Sequence, residues 1–346
     1  MITRALLAPL LCLMMTAPAQ AQAEAAGPPW PAEVSLPSTR HIQFVSAING
    51  ESYTLYIRVP LTPPPPEGYP VIYVLDGDMQ FGMASDISMT IAGPPPVVVA
   101  IGHGLFEDMG VVARYARRAP GDTRPMGLAD IGGALNSLRF RNLTLPVDEA
   151  HRAPDWTGLT PADAGGLDQF LKVIETEIKP RVAGTVPVNR ADQAMFGHSI
   201  AGLAVLRALF TEPEAFRTFI AASPSIWWDA DAVLEDEKAF GEAVESGKVS
   251  PRVLLTVGAD EPDSPNPPQA FIDSLPADRA AGLRTYVAMA SQWSGMVSGS
   301  RALATRLAQV KGGAEYQARF VAFEGESHAS VLPAALGRGM RFAFER

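Results

Sequence analysis

The chain has 346 residues, of which 47% are apolar and 19% charged. That supplies ample material for a core and excludes a disordered chain, a collagen-like fibre and a disulfide-stapled miniprotein. A formal charge of −9 gives no general electrostatic reason to bind nucleic acid or an anionic membrane, because most of the surface would repel both.

The first segment reads as an address. Met1 to Arg4 carries one positive charge, Ala5 to Met15 is apolar, and Ala17, Ala19 and Ala21 offer small-x-small cleavage sites. This pattern predicts a signal peptide over residues 1–21 and export to the periplasm or beyond. The apolar run is well short of the roughly 20 residues that span a bilayer, so no stable membrane insertion is expected after cleavage. Cys12 is the single cysteine and lies inside this leader, which leaves the exported chain without a disulfide or a catalytic thiol. Residues 22–40 form a Pro-rich lead-in. No later linker or repeat divides residues 41–346, which read as one catalytic domain.

His41 to Ser46 and Ser52 to Val59 predict an antiparallel pair around Asn49-Gly50, a hairpin turn signal. The Pro63–Pro66 run must be a loop, since proline cannot donate to a ladder. Tyr69 to Leu75 and Val97 to Ile101 are continuous apolar runs rich in Val and Ile, as buried parallel strands require. Leu167 to Val182 places Leu167, Phe170, Leu171, Ile174 and Ile178 on one helical face, with Pro180 and Gly184 closing its end. Strands follow at Ala191 to Phe196, Phe216 to Ala221, Val253 to Val257 and Tyr316 to Phe323. Helices follow at Ile200 to Leu209 and Ser300 to Val310, with one more at the C-terminus. This alternation predicts an α/β protein, a mostly parallel central sheet with helices on both faces and an N-terminal antiparallel hairpin. Asn142 to Gly166 is proline-bearing and aperiodic, and reads as an insertion that is either a lid or a surface loop.

The chemistry lies at Gly197-His198-Ser199-Ile200-Ala201-Gly202. A strand ends in Phe196 and a helix starts straight after Ser199, the pattern of a nucleophile elbow that lifts a serine hydroxyl above the sheet. The backbone N–H of Ile200 is then available to an oxyanion. The usual G-x-S-x-G ends here in Ala201, with the glycine delayed to Gly202. A serine hydroxyl needs a base, and an acid must hold that base in one tautomer. His328, in the loop after the last strand, has the expected place in chain order. The strand ending in Val257 runs into Asp260 and Glu261, of which Glu261 is favoured as the acid and Asp260 is next. His198 reads as structural.

Tyr73-Val74-Leu75-Asp76-Gly77-Asp78, the Ser199 elbow, Ser223-Pro224-Ser225-Ile226-Trp227-Trp228 and the stretch from Gly325 to Pro333 together resemble the putative esterase family of α/β-hydrolases, closest to its siderophore-esterase branch. The resemblance runs from about His41 to the end. It implies the α/β-hydrolase fold, a serine carboxyl-ester hydrolase, Ser199 as nucleophile and His328 as base, with or without an acid. It further implies a second oxyanion donor after the third strand, here the backbone N–H of Asp78. Relatives more often carry an Arg-Asp-x-Thr-Pro-like segment where this chain has Arg117-Arg118-Ala119-Pro120.

For the substrate, a small-molecule ester, the candidate contacts are Arg117 and Arg118, basic residues in an acidic protein, and the aromatic pair Trp227 and Trp228. The bland readings are arginines paired with Asp122 and Glu107, and a tryptophan buried in the core. No dinucleotide, P-loop or zinc spacing occurs, so neither a cofactor nor a metal is expected. Acyl transfer to an acceptor other than water uses the same residues, and a non-catalytic ligand-binding relic is the remaining alternative.

Overall fold

The computed structural model describes residues 35–118, 121–147, 161–261, 269–290 and 295–345. The expected leader and most of the lead-in lie outside them, as do His151 and residues 148–160 of the insertion. Residues Leu36–Arg346 form one compact unit.

Strands β1 (Thr39–Val45), β2 (Ser52–Arg58), β3 (Tyr69–Val74), β4 (Val97–Gly102), β5 (Val188–His198), β6 (Thr218–Ala222), β7 (Arg252–Gly258) and β8 (Gln317–Phe323) join in one sheet of order β1-β2-β4-β3-β5-β6-β7-β8. β2 runs antiparallel to β1 and to β4; every other neighbouring pair is parallel. The central strands are buried along their length, and their side chains divide between two cores as a period of two demands. Tyr69, Val71 and Tyr73 of β3 join one cluster and Ile72 and Val74 the other.

The larger core is covered by α4 (Leu167–Val173), α6 (Ile200–Thr211), α7 (Glu237–Glu245) and α10 (Met296–Gln309). The opposite face carries α1 (Gly77–Ser88) and α11 (Leu332–Phe344) through Ala84, Ala335, Leu336 and Met340. A satellite cluster joins α2 (Met109–Tyr115) to α3 (Leu128–Leu143) through Val112 and Leu138. Ile272 of α8 (Gln269–Asp273) packs with Ala280 and Leu283 of α9 (Ala277–Ala290) against Trp227. Among the described residues no helix is long and apolar enough to cross a membrane.

Three local expectations differ in detail. The antiparallel pair forms, but Asn49-Gly50 sits inside a longer loop in which the Ser46 N–H donates to the Glu51 carbonyl at 2.9 Å and the Gly50 N–H to the Ser46 carbonyl at 3.0 Å. The helix read from Leu167 to Val182 is interrupted by a π turn at Ile174–Ile178 before α5 (Lys179–Ala183). Pro180, expected to end that helix, follows directly on the π turn, and the helix continues past it to Ala183. The wide turn carries Glu177, whose Oε1 accepts the Ala47 N–H at 2.9 Å and ties the helix to the β1–β2 loop. Asn142 and Leu143, read as the start of the insertion, are instead the last residues of α3. The two ends of the insertion are pinned together, since the Gly166 N–H donates to the Arg141 carbonyl at 2.9 Å.

Candidate active site

The C-terminal ends of the parallel strands share one rim, where open α/β sheets place ligands. At the end of β5 the chain turns into α6 through Ser199, whose φ of 63° lies in the left-handed region. That conformation is unfavourable for a residue with a side chain and persists only where the surroundings over-determine it. Here they do. The Ser199 N–H donates to the Ala222 carbonyl at 2.9 Å, and the Ser199 carbonyl accepts from Leu203 and Ser225, each at 3.1 Å. A Cβ on Gly197 would lie 2.1 Å from the Ala201 carbonyl oxygen, and one on Gly202 would lie 2.9 Å from that of Ala222. Both positions therefore need glycine, whereas the methyl of Ala201 is accommodated and fully buried.

His328 lies between β8 and α11, in a turn closed by the Val331 N–H donating to the Ser327 carbonyl at 3.0 Å. This loop is joined to the one after β7. The Asp260 N–H donates to the Glu326 carbonyl at 3.1 Å, and a Cβ on Gly258 would lie 2.2 Å from that same oxygen. The result is a continuous chain of hydrogen bonds. His328 Nδ1 is 2.7 Å from Glu261 Oε2, and His328 Nε2 is 3.0 Å from Ser199 Oγ. A carboxylate only accepts, so Nδ1 carries the proton and Nε2 is left to receive the hydroxyl's. Glu261 is buried while Asp260 is exposed, and it is Glu261 that bonds the imidazole.

Burial alone would raise the pKa of Glu261. The hydrogen bonds from His328 and Ser223, together with the neighbouring imidazole and the Gly258 N–H, outweigh it and hold the carboxyl below its ordinary range. His198 is driven the other way. Burial first, then the adjoining His328 and Arg139, lower its pKa to about 3. Its Nε2 lies 2.8 Å from the His328 carbonyl and must carry the hydrogen, which makes His198 a neutral donor beneath the His328 ring, 4.6 Å away between centroids.

The Asp78 N–H stands in the first turn of α1 and that of Ile200 in the first turn of α6, positions that have no acceptor within their own helices. The Asp78 side chain staples this turn to the end of β4, accepting from the backbone N–H groups of His103 at 2.7 Å and Leu105 at 2.9 Å and from the Tyr56 hydroxyl at 3.0 Å.

The other candidates are placed less favourably for contact with a substrate. Arg118 pairs with Asp122 at 3.1 Å and Asp130 at 3.3 Å, and Arg117 pairs with Asp163. Among the described residues Glu107 pairs with no arginine; its Oε2 lies 2.9 Å from the Tyr56 hydroxyl, whose single proton is shared between Glu107 and Asp78. Trp228 is 7% exposed, donates to the Leu145 carbonyl at 3.1 Å and packs on Phe140, so it belongs to the core. Trp227 is half-buried, with its indole N–H 3.2 Å from Met296 Sδ.

Two residues of the site were not read as site residues, although Ser223 opens one of the stretches that carry the family resemblance. Arg139 donates to Asp76 Oδ1 at 2.9 Å and to the His198 carbonyl at 3.3 Å, linking the loop after β3 to the elbow. Ser223 donates to Glu261 Oε1 at 2.6 Å. An isolated helical arginine is indistinguishable from a surface residue until the fold closes, and the serine's motif does not say that its hydroxyl meets the acid.

A family model described as "Putative esterase" matches residues 144–292. The ferri-bacillibactin esterase BesA of Bacillus subtilis is 29% identical over 89% of this chain and 90% of its own length. The siderophore triacetylfusarinine C esterase of Aspergillus fumigatus is likewise 29% identical, over 91% of this chain and 96% of its own. The BES protein of Bacillus cereus, a crystal structure, superposes with a TM-score of 0.66 at 28% identity, covering 90% of this chain and 98% of its own. Its sheet order, its elbow, the family-model match and these relatives support a "Putative esterase", a carboxylic ester hydrolase built on the α/β-hydrolase fold.

Proposed function

We propose that the protein is an exported serine esterase that hydrolyses siderophore-type esters or lactones through an acyl-enzyme. The observation that carries this reading is the unbroken relay Ser199–His328–Glu261, at 3.0 Å and 2.7 Å. In this mechanism Ser199 Oγ attacks the ester carbonyl carbon while His328 Nε2 takes its proton. The Ile200 and Asp78 amides receive the developing oxyanion. The tetrahedral species collapses, the alcohol leaves with the proton from His328, and water repeats the sequence to free the acid and Ser199. Glu261 stays ionised throughout and stabilises the imidazolium.

The substrate class rests on the relatives, whose names describe esterases of ferri-bacillibactin and of triacetylfusarinine C. Export rests on the leader-like residues 1–21. Mass spectrometry of the N-terminus of protein recovered outside the cytoplasm should find a chain starting close to Gln22; an intact Met1 in the cytosol would remove this part of the reading.

Ser199→Ala and His328→Ala should each lower kcat by about 10⁴-fold or more, and the double variant should be little worse than either, because the members act as a unit. A fluorophosphonate should label wild-type protein and not Ser199→Ala. Esterase turnover within tenfold of wild type in either single variant would sink the mechanism. Glu261→Ala should be slowed less, and a larger loss on Asp260→Ala would transfer the acid's role.

Substrate class is tested by a panel of triscatecholate lactones, cyclic hydroxamate esters, feruloyl esters and short p-nitrophenyl esters, with and without excess alcohol. Siderophore esters should give the highest kcat/KM and free acid as product. A transesterified product would indicate acyl transfer, and a clear preference for feruloyl esters would replace the siderophore assignment.

His198 must remain neutral, because a second charge beneath the ring of His328 would oppose the imidazolium that the reaction requires. With a pKa of about 3 in the fold against about 6.5 unfolded, the unfolded chain gains a proton that the folded chain refuses. The contribution to stability is complete above about pH 6.5 and is lost as pH falls toward 3, at roughly 1 kcal/mol per pH unit. His198→Gln keeps a donor and cannot titrate. Urea denaturation at pH 7.5 and 5 should therefore show a smaller loss of stability on acidification in the variant than in the wild type; equal losses would contradict a neutral His198.

A further inference from the structure

We propose that Ser223 is a positioning residue that holds the Glu261 carboxylate in the one rotation that serves His328, an inference that rests on the serine-hydrolase reading above. A carboxylate has two equivalent oxygens, and its last torsion is soft. Something must decide which oxygen faces the imidazole. In this site Oε1 takes two donors, the Ser223 hydroxyl at 2.6 Å and the Gly258 N–H at 2.5 Å, and Oε2 is left for His328 Nδ1 at 2.7 Å. The Gly258 amide closes β7, the strand that leads into Glu261, and so ties the carboxylate only to its own segment of chain. Ser223 follows the end of the neighbouring strand β6 and ties the carboxylate to a second strand.

Ser223 is itself anchored. It is fully buried, and its own N–H donates to the Thr256 carbonyl of β7 at 2.7 Å. Its φ of 43° is left-handed, a conformation that glycine adopts without strain and serine does not. Glycine at this position would relieve the backbone and lose the donor. The same turn continues through Pro224, against which Gly202 packs, to Ser225, whose N–H donates to the Ser199 carbonyl at 3.1 Å. One tight turn after β6 thus braces the nucleophile through its backbone and the acid through a hydroxyl.

The test is a kinetic cycle on the full chain with Ser223→Ala, Ser223→Gly, Glu261→Ala and each Ser223 variant combined with Glu261→Ala. The glycine variant suits the backbone conformation and supplies a folded protein should alanine strain the turn. A lost hydrogen bond to a charged group predicts a fall in kcat of about tenfold in both single variants, with KM changed less than about twofold. In the Glu261→Ala background the Ser223 substitutions should have no further effect on kcat, because the serine acts through that carboxylate. A purely structural role predicts the same loss in both backgrounds, and that result overturns the proposal. Normal kcat in both Ser223 variants also overturns it, provided Glu261→Ala is slow. If Glu261→Ala is itself as fast as wild type, it is the assignment of the acid that fails.

Discussion

A methyl group does not fit where the backbones meet at the C-terminal rim of the sheet, and the site depends on that. Cβ atoms on Gly197, Gly202 and Gly258 would lie 2.1, 2.9 and 2.2 Å from carbonyl oxygens of Ala201, Ala222 and Glu326. These approaches bring the ends of β5, β6, β7 and β8 close enough for short side chains to touch in series. The reach from Ser199 through His328 to Glu261 is two hydrogen bonds. A shift of an ångström at any glycine is enough to break one of them, since hydrogen bonds weaken steeply beyond their normal range. The left-handed backbone at Ser199 and Ser223 is a consequence of the same crowding, stored where the surroundings over-determine it.

Charge is arranged with similar economy. Glu261 is removed from water, and an isolated carboxylate there would take up a proton rather than remain ionised. Three donors, from His328, Ser223 and Gly258, offset that desolvation and keep the negative charge facing the imidazole. The reverse applies on the other side of His328. His198 is left neutral by burial and donates to the His328 carbonyl, so the ring is held from below without adding positive charge. Arg139 carries the nearby cation, and Asp76 balances it at 2.9 Å.

What was legible in the sequence follows from which interactions are local. Continuous Val- and Ile-rich runs exposed the buried strands β3 and β4, and a glycine-flanked serine between strand and helix exposed the elbow. Chain order alone placed His328 and Glu261 at the same rim as Ser199. The π turn at Ile174–Ile178 was illegible, because one extra residue shifts a helical face while leaving the surrounding pattern helical. Arg139 was illegible too, as a common surface residue type, and Asp76 and Ser223, though they stand in stretches that carry the family resemblance, show their roles only once Arg139 and Glu261 are beside them. For Arg117, Arg118 and Trp228 the structure adds partners that composition does not show. Composition marks a residue as able to meet a ligand, but Asp122, Asp130 and Asp163 meet the arginines first, and Leu145 takes the Trp228 indole.

Ala201 shows why a motif is best read as a packing requirement. In G-x-S-x-G the final glycine stands for contact between the first turn of the helix and the neighbouring chain. In this protein that contact falls one residue later, where Gly202 lies against Ala222 and Pro224. Ala201 faces back toward Gly197, and the space its methyl occupies is the space Gly197 leaves open; an ideal Cβ on Gly197 would come within 3.1 Å of it. Gly197 has to be glycine whatever side chain stands at 201, because its Cβ would lie 2.1 Å from the backbone carbonyl oxygen of that residue. The substitution therefore leaves the elbow's geometry intact, with Ser199 Oγ 3.0 Å from His328 Nε2. A departure that weakens the pattern as text does not weaken the site as a structure, and it gives no support to a binding relic that has lost its chemistry.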